Sequence, residues 1–141
     1  MGAVAGIEAL EPHLEKSTDG SIVLMSSTAA LETFLSANAF NALKAALITY
    51  SKQQSQALGP KGIRVNTVSP GPISFPGGNW EKIREARPEL YEATAGKMVH
   101  GRFGTAEEVA RTVVFVASPA SSHTTGANIV VDGGYTKRVQ F

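Results

Sequence analysis

At 141 residues, 43% hydrophobic and 18% charged, the chain is long enough to bury one core and reads as a single unit over 1–141. Its 13 basic and 12 acidic residues leave a formal charge of +1 with no Lys/Arg cluster, which argues against a nucleic-acid surface. The absence of cysteine excludes a disulfide framework or thiolate metal site, and no apolar run reaches the roughly 18 residues of a transmembrane helix, so a soluble cytoplasmic protein is expected.

Val4, Ile7, Leu10 and Leu14 recur at three- and four-residue spacing, which predicts an amphipathic helix from Gly2 to Ser17 that Pro12 kinks or brings to its last turns. Thr18-Asp19-Gly20 supplies a turn. Ile22 to Met25 is then a continuous apolar run of the kind found in parallel strands buried on both faces. From about Ala37 to Leu58 helix formers dominate, with Ala39, Leu43, Ala46, Leu47 and Tyr50 as one apolar stripe, and Gly59-Pro60 ends the helix. Ile63 to Val68 alternates β-branched residues and predicts a second strand, broken by Ser69-Pro70-Gly71-Pro72.

A loop follows through Phe75-Pro76-Gly77-Gly78. Asn79 is the expected cap of a short helix from Trp80 and Pro88 opens another, making a helical insert over about 74–100. Thr105-Ala106-Glu107-Glu108 is a capping box, opening a helix with Val109, Val113 and Val116 on one face that stops before Pro119. Ala127 to Val131 is a third strand, closed by Asp132-Gly133-Gly134. This alternation of helix and strand predicts an α/β fold built from parallel βαβ units.

Ser27 stands where the first strand ends, the place at which open α/β sheets hold ligands. Phe40 lies thirteen residues on and Lys44 four beyond it, so on a helix positions 40 and 44 share a face. A tyrosine at 40 would have its phenol pKa, roughly 10, lowered by the ammonium until it exchanged a proton near neutrality. Phenylalanine has no proton to give. Nor do Tyr50, Tyr91 or Tyr135 restore the spacing, since Gln54, Ala95 and Val139 stand four residues after them.

These features resemble the short-chain dehydrogenase/reductase family, whose site is a serine followed by YxxxK, here Ser27 and Phe40-Asn41-Ala42-Leu43-Lys44. Three further segments resemble that family in order and spacing: Ile63-Arg64-Val65-Asn66 leading to Pro70-Gly71, Gly101-Arg102-Phe103-Gly104 with Glu107-Glu108-Val109-Ala110, and Gly126 to Gly134. The likeness covers nearly the whole chain and corresponds to the C-terminal half of a member. It implies a Rossmann-like parallel sheet of about three strands with flanking helices, and an open outer edge on the Ile22 strand that needs a partner.

The resemblance also implies a function. A complete member binds NAD or NADP and passes hydride between the nicotinamide and an alcohol or ketone. Ser27 would hold the substrate oxygen and Lys44 the nicotinamide ribose, while Phe40 replaces the proton-donating tyrosine. Pro70, Gly71 and Ile73 would line the nicotinamide, with Ser74 beside Phe75 where the family often has a threonine hydroxyl. No GxGxxG or GxxxGxG turn follows any strand, so the phosphate-binding half of the cofactor site is missing from these residues and little turnover is expected of this chain alone. The alternative is a non-catalytic scaffold, or a self-association module using the helices that flank the first strand. A homo-oligomer is expected, with no nucleic-acid or membrane partner. His13, His100 and His123 are scattered, so no metal site is expected.

Overall fold

Three parallel strands, β1 (Gly20–Met25), β2 (Ile63–Pro70) and β3 (Asn128–Val131), form one sheet in the order β1-β2-β3 in a computed structural model that describes residues 2–33 and 38–139. Gly20 pairs with Ile63 and Met25 with Val68, while Thr67 pairs with Asn128 and Pro70 with Val131. As the central strand, β2 has neighbours on both edges, and every residue from Ile63 to Ser69 is buried. The strand runs two residues beyond its expected end at Val68. Proline is tolerated at a strand terminus, and Gly71 N–H then continues the ladder by donating to Val131 O at 3.0 Å.

The first helix, α1 (Gly2–Leu14), ends three residues before the expected Ser17, with Pro12 in its last turn. It buries Ile7 against Leu24, Leu58, Ile63 and Val65. The second, α2 (Ala39–Leu58), is capped by the Asn38 side chain, which accepts from Asn41 N–H at 3.2 Å. Its expected start at Ala37 lies outside the described residues.

The expected stripe on α2 needs correction. Ser51, Ser55 and Leu58 are the buried residues, with Leu47 and Tyr50 half-buried, whereas Leu43 is 68% exposed. Lys44 is level with the end of β1, so the turn before it lies past the strands, beside the Thr28–Ala30 turn, and Leu43 is left exposed. Small serines on the remaining turns let the helix approach β2 closely.

The insert consists of α3 (Asn79–Ala86) and α4 (Pro88–Ala95). Asn79 does not cap α3; Gly78 holds that position without a side-chain bond, and Glu81 Oε2 instead accepts from Gly77 N–H at 2.6 Å. The last helix, α5 (Ala106–Ala117), opens on the expected capping box: Thr105 Oγ1 accepts from Glu108 N–H at 3.2 Å and Glu108 Oε2 accepts from Thr105 N–H at 2.9 Å.

Bonding from Arg102 and then from Thr105 N–H lowers the Glu108 carboxyl to about 2. A depressed folded-state pKa contributes stability above the unfolded carboxyl value, about 4.3, and loses it as pH falls toward the folded value. Wild type should therefore lose more thermal stability between pH 5 and pH 2 than Glu108→Gln. Equal losses in paired thermal melts would remove this carboxylate from the acid response.

Two buried polar side chains organise the return to β3. Arg64, 8% exposed, points its guanidinium at the end of α5, and Asn66, fully buried, donates to Thr124 O at 2.7 Å and accepts from Ala127 N–H at 3.0 Å. Among the described residues β1 pairs only with β2. Beside it is an apolar hollow of about 180 Å³ lined by Ile7, Leu10, Ile22 and Leu24. No helix among the described residues is long and apolar enough to cross a membrane, and none of those residues form a cluster of metal-ligating side chains.

Candidate functional site

A cavity of about 770 Å³ opens at the C-terminal ends of β1 and β2, within the range of small-molecule sites. Ser27, Phe40 and Lys44 lie on its wall together with Pro70, Gly71 and Ile73. The structure thus brings into one space residues that span more than forty positions of sequence.

Ser27 leaves β1 in extended conformation and caps the 3₁₀ turn Thr28–Ala30, its Oγ accepting from Ala29 N–H at 3.2 Å. Capping uses an acceptor lone pair only, so the hydroxyl proton stays available for a ligand oxygen. Two bonds lock α2 to the end of β1. Ser26 Oγ donates to Lys44 O at 2.7 Å, and Lys44 Nζ donates to Met25 O at 2.8 Å. An ammonium carries three N–H donors, so this anchoring leaves two. Phe40, 53% exposed, presents its ring with the centroid 5.6 Å from that Nζ.

Beyond β2 the chain pairs once more, Ile73 bridging in parallel to Gly104. Gly104 N–H donates to Pro72 O at 3.2 Å and Ser74 N–H to Gly104 O at 3.0 Å. In this pattern the bonds come from the residues on either side of Ile73, whose own N–H and C=O face the opposite way. Ser74 is not on the cavity wall, because the bridge draws its backbone toward Gly104. Gly104 and Ile73 lie close together here: a Cβ on Gly104 would stand 2.7 Å from Ile73 Cδ1, so that side chain would have to shift.

The insert closes the apolar side. Phe103 stacks on Tyr91 at 4.2 Å and meets Trp80 at 4.9 Å, tying α3 and α4 to the segment before α5. Trp80, Leu90 and Val109 reach the wall, and Lys97 is its second cation; no carboxylate lines it among the described residues. Val99 N–H donates to Gly133 O at 3.0 Å, joining the insert to the turn after β3.

That turn brings in Tyr135, which sequence spacing passed over because no lysine follows it by four residues. The available signal was its place directly after Asp132-Gly133-Gly134, a turn that folds the chain back across the strand ends. The nicotinamide portion of a dinucleotide fits this site: Lys44 keeps two donors at the mouth and Ile73 presents a backbone donor and acceptor. Where β1 ends, Ser26-Ser27-Thr28 leads into a serine-capped turn and not into a glycine-rich one.

Comparison with known proteins bears on the family and the fold. A sequence profile described as enoyl-(acyl carrier protein) reductase matches residues 1–136. The isoepoxydon dehydrogenase patN of Aspergillus clavatus is 44% identical over 100% of this chain and 55% of its own length. A 3-oxoacyl-[acyl-carrier protein] reductase with bound NAD from Brucella melitensis superposes with a TM-score of 0.82 at 32% identity, over 96% of this chain and 48% of that one. An NADPH-bound short chain oxidoreductase from Pseudomonas aeruginosa PAO1, described as containing an atypical catalytic center, gives 0.84 at 31% identity over 94% of this chain and 52% of that one. The chain spans about half the length of the curated relatives it matches.

Proposed function

Because the chain belongs to the short-chain dehydrogenase/reductase family, we propose that it is the C-terminal portion of an NAD(P)-dependent oxidoreductase acting on a small-molecule alcohol or ketone. The observation that carries this reading is the shared cavity of Ser27 and Lys44 at the ends of parallel strands, beside the Pro70–Ile73 loop. Bound NAD or NADP supplies or accepts the hydride. In this reading the two remaining Lys44 donors hold the nicotinamide ribose, and Ile73 N–H and C=O hold the carboxamide. The Ser27 hydroxyl donates to the substrate oxygen, and the Trp80 and Leu90 side of the cavity excludes water. Phe40 fills the ring-sized space of a proton donor without donating, so turnover by this chain is little or none.

The test is a titration of NADH and of nicotinamide mononucleotide against the fluorescence of Trp80, the sole tryptophan. Since the proposal assigns this chain only the nicotinamide end, the two should bind weakly and within about threefold of each other. NADH saturating at micromolar concentration, with the mononucleotide far weaker, would show that these residues hold the pyrophosphate and would overturn the division of the site.

A second reading, a self-association module, is favoured by the apolar residues left outside on α1 and α2. Leu10 is 56% exposed and Leu43 stands clear of the sheet. A homo-oligomer through these helices is compatible with the enzyme reading, because the cavity opens at the strand ends rather than on the outer faces of α1 and α2.

A further inference from the structure

Two lysines and no acid line the cavity among the described residues. We propose that Lys97 binds a carboxylate on the substrate, set apart from the reacting oxygen by an apolar body, so that the cavity selects a keto or hydroxy acid over its neutral counterpart. The proposal deepens the reading above that this cavity takes a ketone or alcohol, and rests on it.

Lys97 is held where the insert meets the turn after β3. Its N–H donates to Thr94 O at 3.1 Å, and Thr94, buried and on the cavity wall, donates its hydroxyl to Leu90 O at 2.8 Å. Two residues on, past the buried Met98, Val99 N–H donates to Gly133 O at 3.0 Å. The backbone of Lys97 is thus fixed from both sides while the residue itself stays exposed. Its side chain has no hydrogen-bond or ion-pair partner among the described residues, whereas Lys61, Arg64, Arg84 and Arg102 each face an acid.

No acid answers this charge from the sequence outside the description either, since residues 1, 34–37, 140 and 141 carry no acidic side chain. The carboxylates of the adjoining segments are engaged elsewhere. Asp132 Oδ1 accepts from Gly134 N–H at 3.0 Å, and Asp132 Oδ2 accepts from Thr136 N–H at 2.9 Å and from Thr136 Oγ1 at 2.7 Å. Glu32 Oε1 accepts from Lys137 N–H at 2.8 Å and Arg138 N–H at 2.9 Å, a clamp whose donors belong to residues that are themselves cationic. A cavity of about 770 Å³ is on the order of one Debye length across, about 8 Å at physiological salt, so an ammonium on its wall acts on a ligand anywhere inside. Phe75, Trp80 and Leu90 on the same wall set an apolar body for that ligand. One ammonium matches the single charge of a carboxylate; a phosphate monoester carries about −1.5 to −2 and exceeds it.

The experiment titrates 4-oxocyclohexanecarboxylate and its neutral amide against Trp80 fluorescence in the 141-residue chain and in Lys97→Gln and Lys97→Arg variants. Wild type should prefer the acid. An exposed ion pair is worth roughly 2- to 5-fold in affinity, so Lys97→Gln should lower the acid-to-amide ratio by that factor and Lys97→Arg should restore it. High salt should weaken the acid and spare the amide, with a smaller salt effect in Lys97→Gln. An acid-to-amide ratio unchanged in Lys97→Gln overturns the proposal, and so does a loss that Lys97→Arg fails to restore. Equal weakening of both probes also overturns it, because that result marks a merely structural lysine. Nicotinamide mononucleotide and nicotinamide riboside, titrated alongside, identify the anion: if Lys97→Gln weakens the mononucleotide relative to the riboside and spares the acid, the lysine serves the cofactor phosphate and the proposal fails. Two probes bound equally by wild type overturn the carboxylate site and leave the ketone reading standing, whereas a wild-type chain that responds to neither overturns both.

Discussion

Phe40→Tyr is expected to raise turnover on the order of 10²-fold or more once this chain is joined to a dinucleotide-binding half, the lower end of what a positioned general acid contributes. The Phe40 ring centroid is 5.6 Å from Lys44 Nζ, and that ammonium is anchored to Met25 O at 2.8 Å, so the charge is held beside the ring. An opposite charge at this range favours the ionised form. The phenol created at position 40 should therefore ionise below the ordinary value of about 10. Absorbance titration of the isolated variant reads this directly, as one phenolate that the unsubstituted chain does not show. Adding Lys44→Met should raise the pH at which it appears. If the phenol titrates early and turnover still does not rise, position 40 has no part in proton transfer. If it titrates normally, the Lys44 charge is not felt at the ring.

That Ser27, Phe40 and Lys44 share one cavity was legible in the sequence. Ser27, Phe40 and Lys44 could be placed because the strand and the helix each have local causes, a run of apolar residues and a row of helix formers; the Asn38 cap was not read. Geometry then follows from spacing. The capping box at Thr105 and Glu108 and the insert's second helix, opened by Pro88, were legible for the same reason. What escaped depended on contacts across the sheet. Leu43 belongs to the stripe by periodicity, but the sheet ends beneath Lys44 and leaves it outside. Asn79 looks like a cap, but Glu81 already satisfies Gly77 N–H, and the helix starts at Asn79 itself. Ser74 has a suitable hydroxyl, yet the Ile73–Gly104 bridge turns it off the cavity wall. Tyr135 reaches the site only through the Asp132 turn and the Glu32 clamp, and the latter joins residues more than a hundred positions apart.

Arg64→Met should be among the most destabilising single changes in this chain, at about 3–5 kcal/mol, because it strands the Val116 and Ala117 carbonyls, whereas Ser118 O and Ser121 O keep backbone donors, rather than because it breaks an ion pair. The guanidinium is 8% exposed and lies at the C-terminus of α5, where helix carbonyls lack internal partners. Nη1 donates to Val116 O at 2.8 Å and Ser121 O at 3.1 Å, and Nη2 to Ala117 O at 3.2 Å and Ser118 O at 3.2 Å. Asp19 accepts a fifth bond at 3.3 Å, but its side chain is 32% exposed and water can replace the arginine there. Asp19→Asn should accordingly cost less than about 1 kcal/mol. Methionine fills the volume of the stem and offers no donor. Arg64→Lys keeps a charge but cannot fork to four carbonyls, so it should recover only part of the loss. Urea unfolding midpoints of the three variants decide the matter. If Asp19→Asn falls as far as Arg64→Met, the salt bridge carries the stability; if Arg64→Met is neutral, the α5 terminus is held by packing alone, and the placement of β3 and of Tyr135 beyond it does not depend on this side chain.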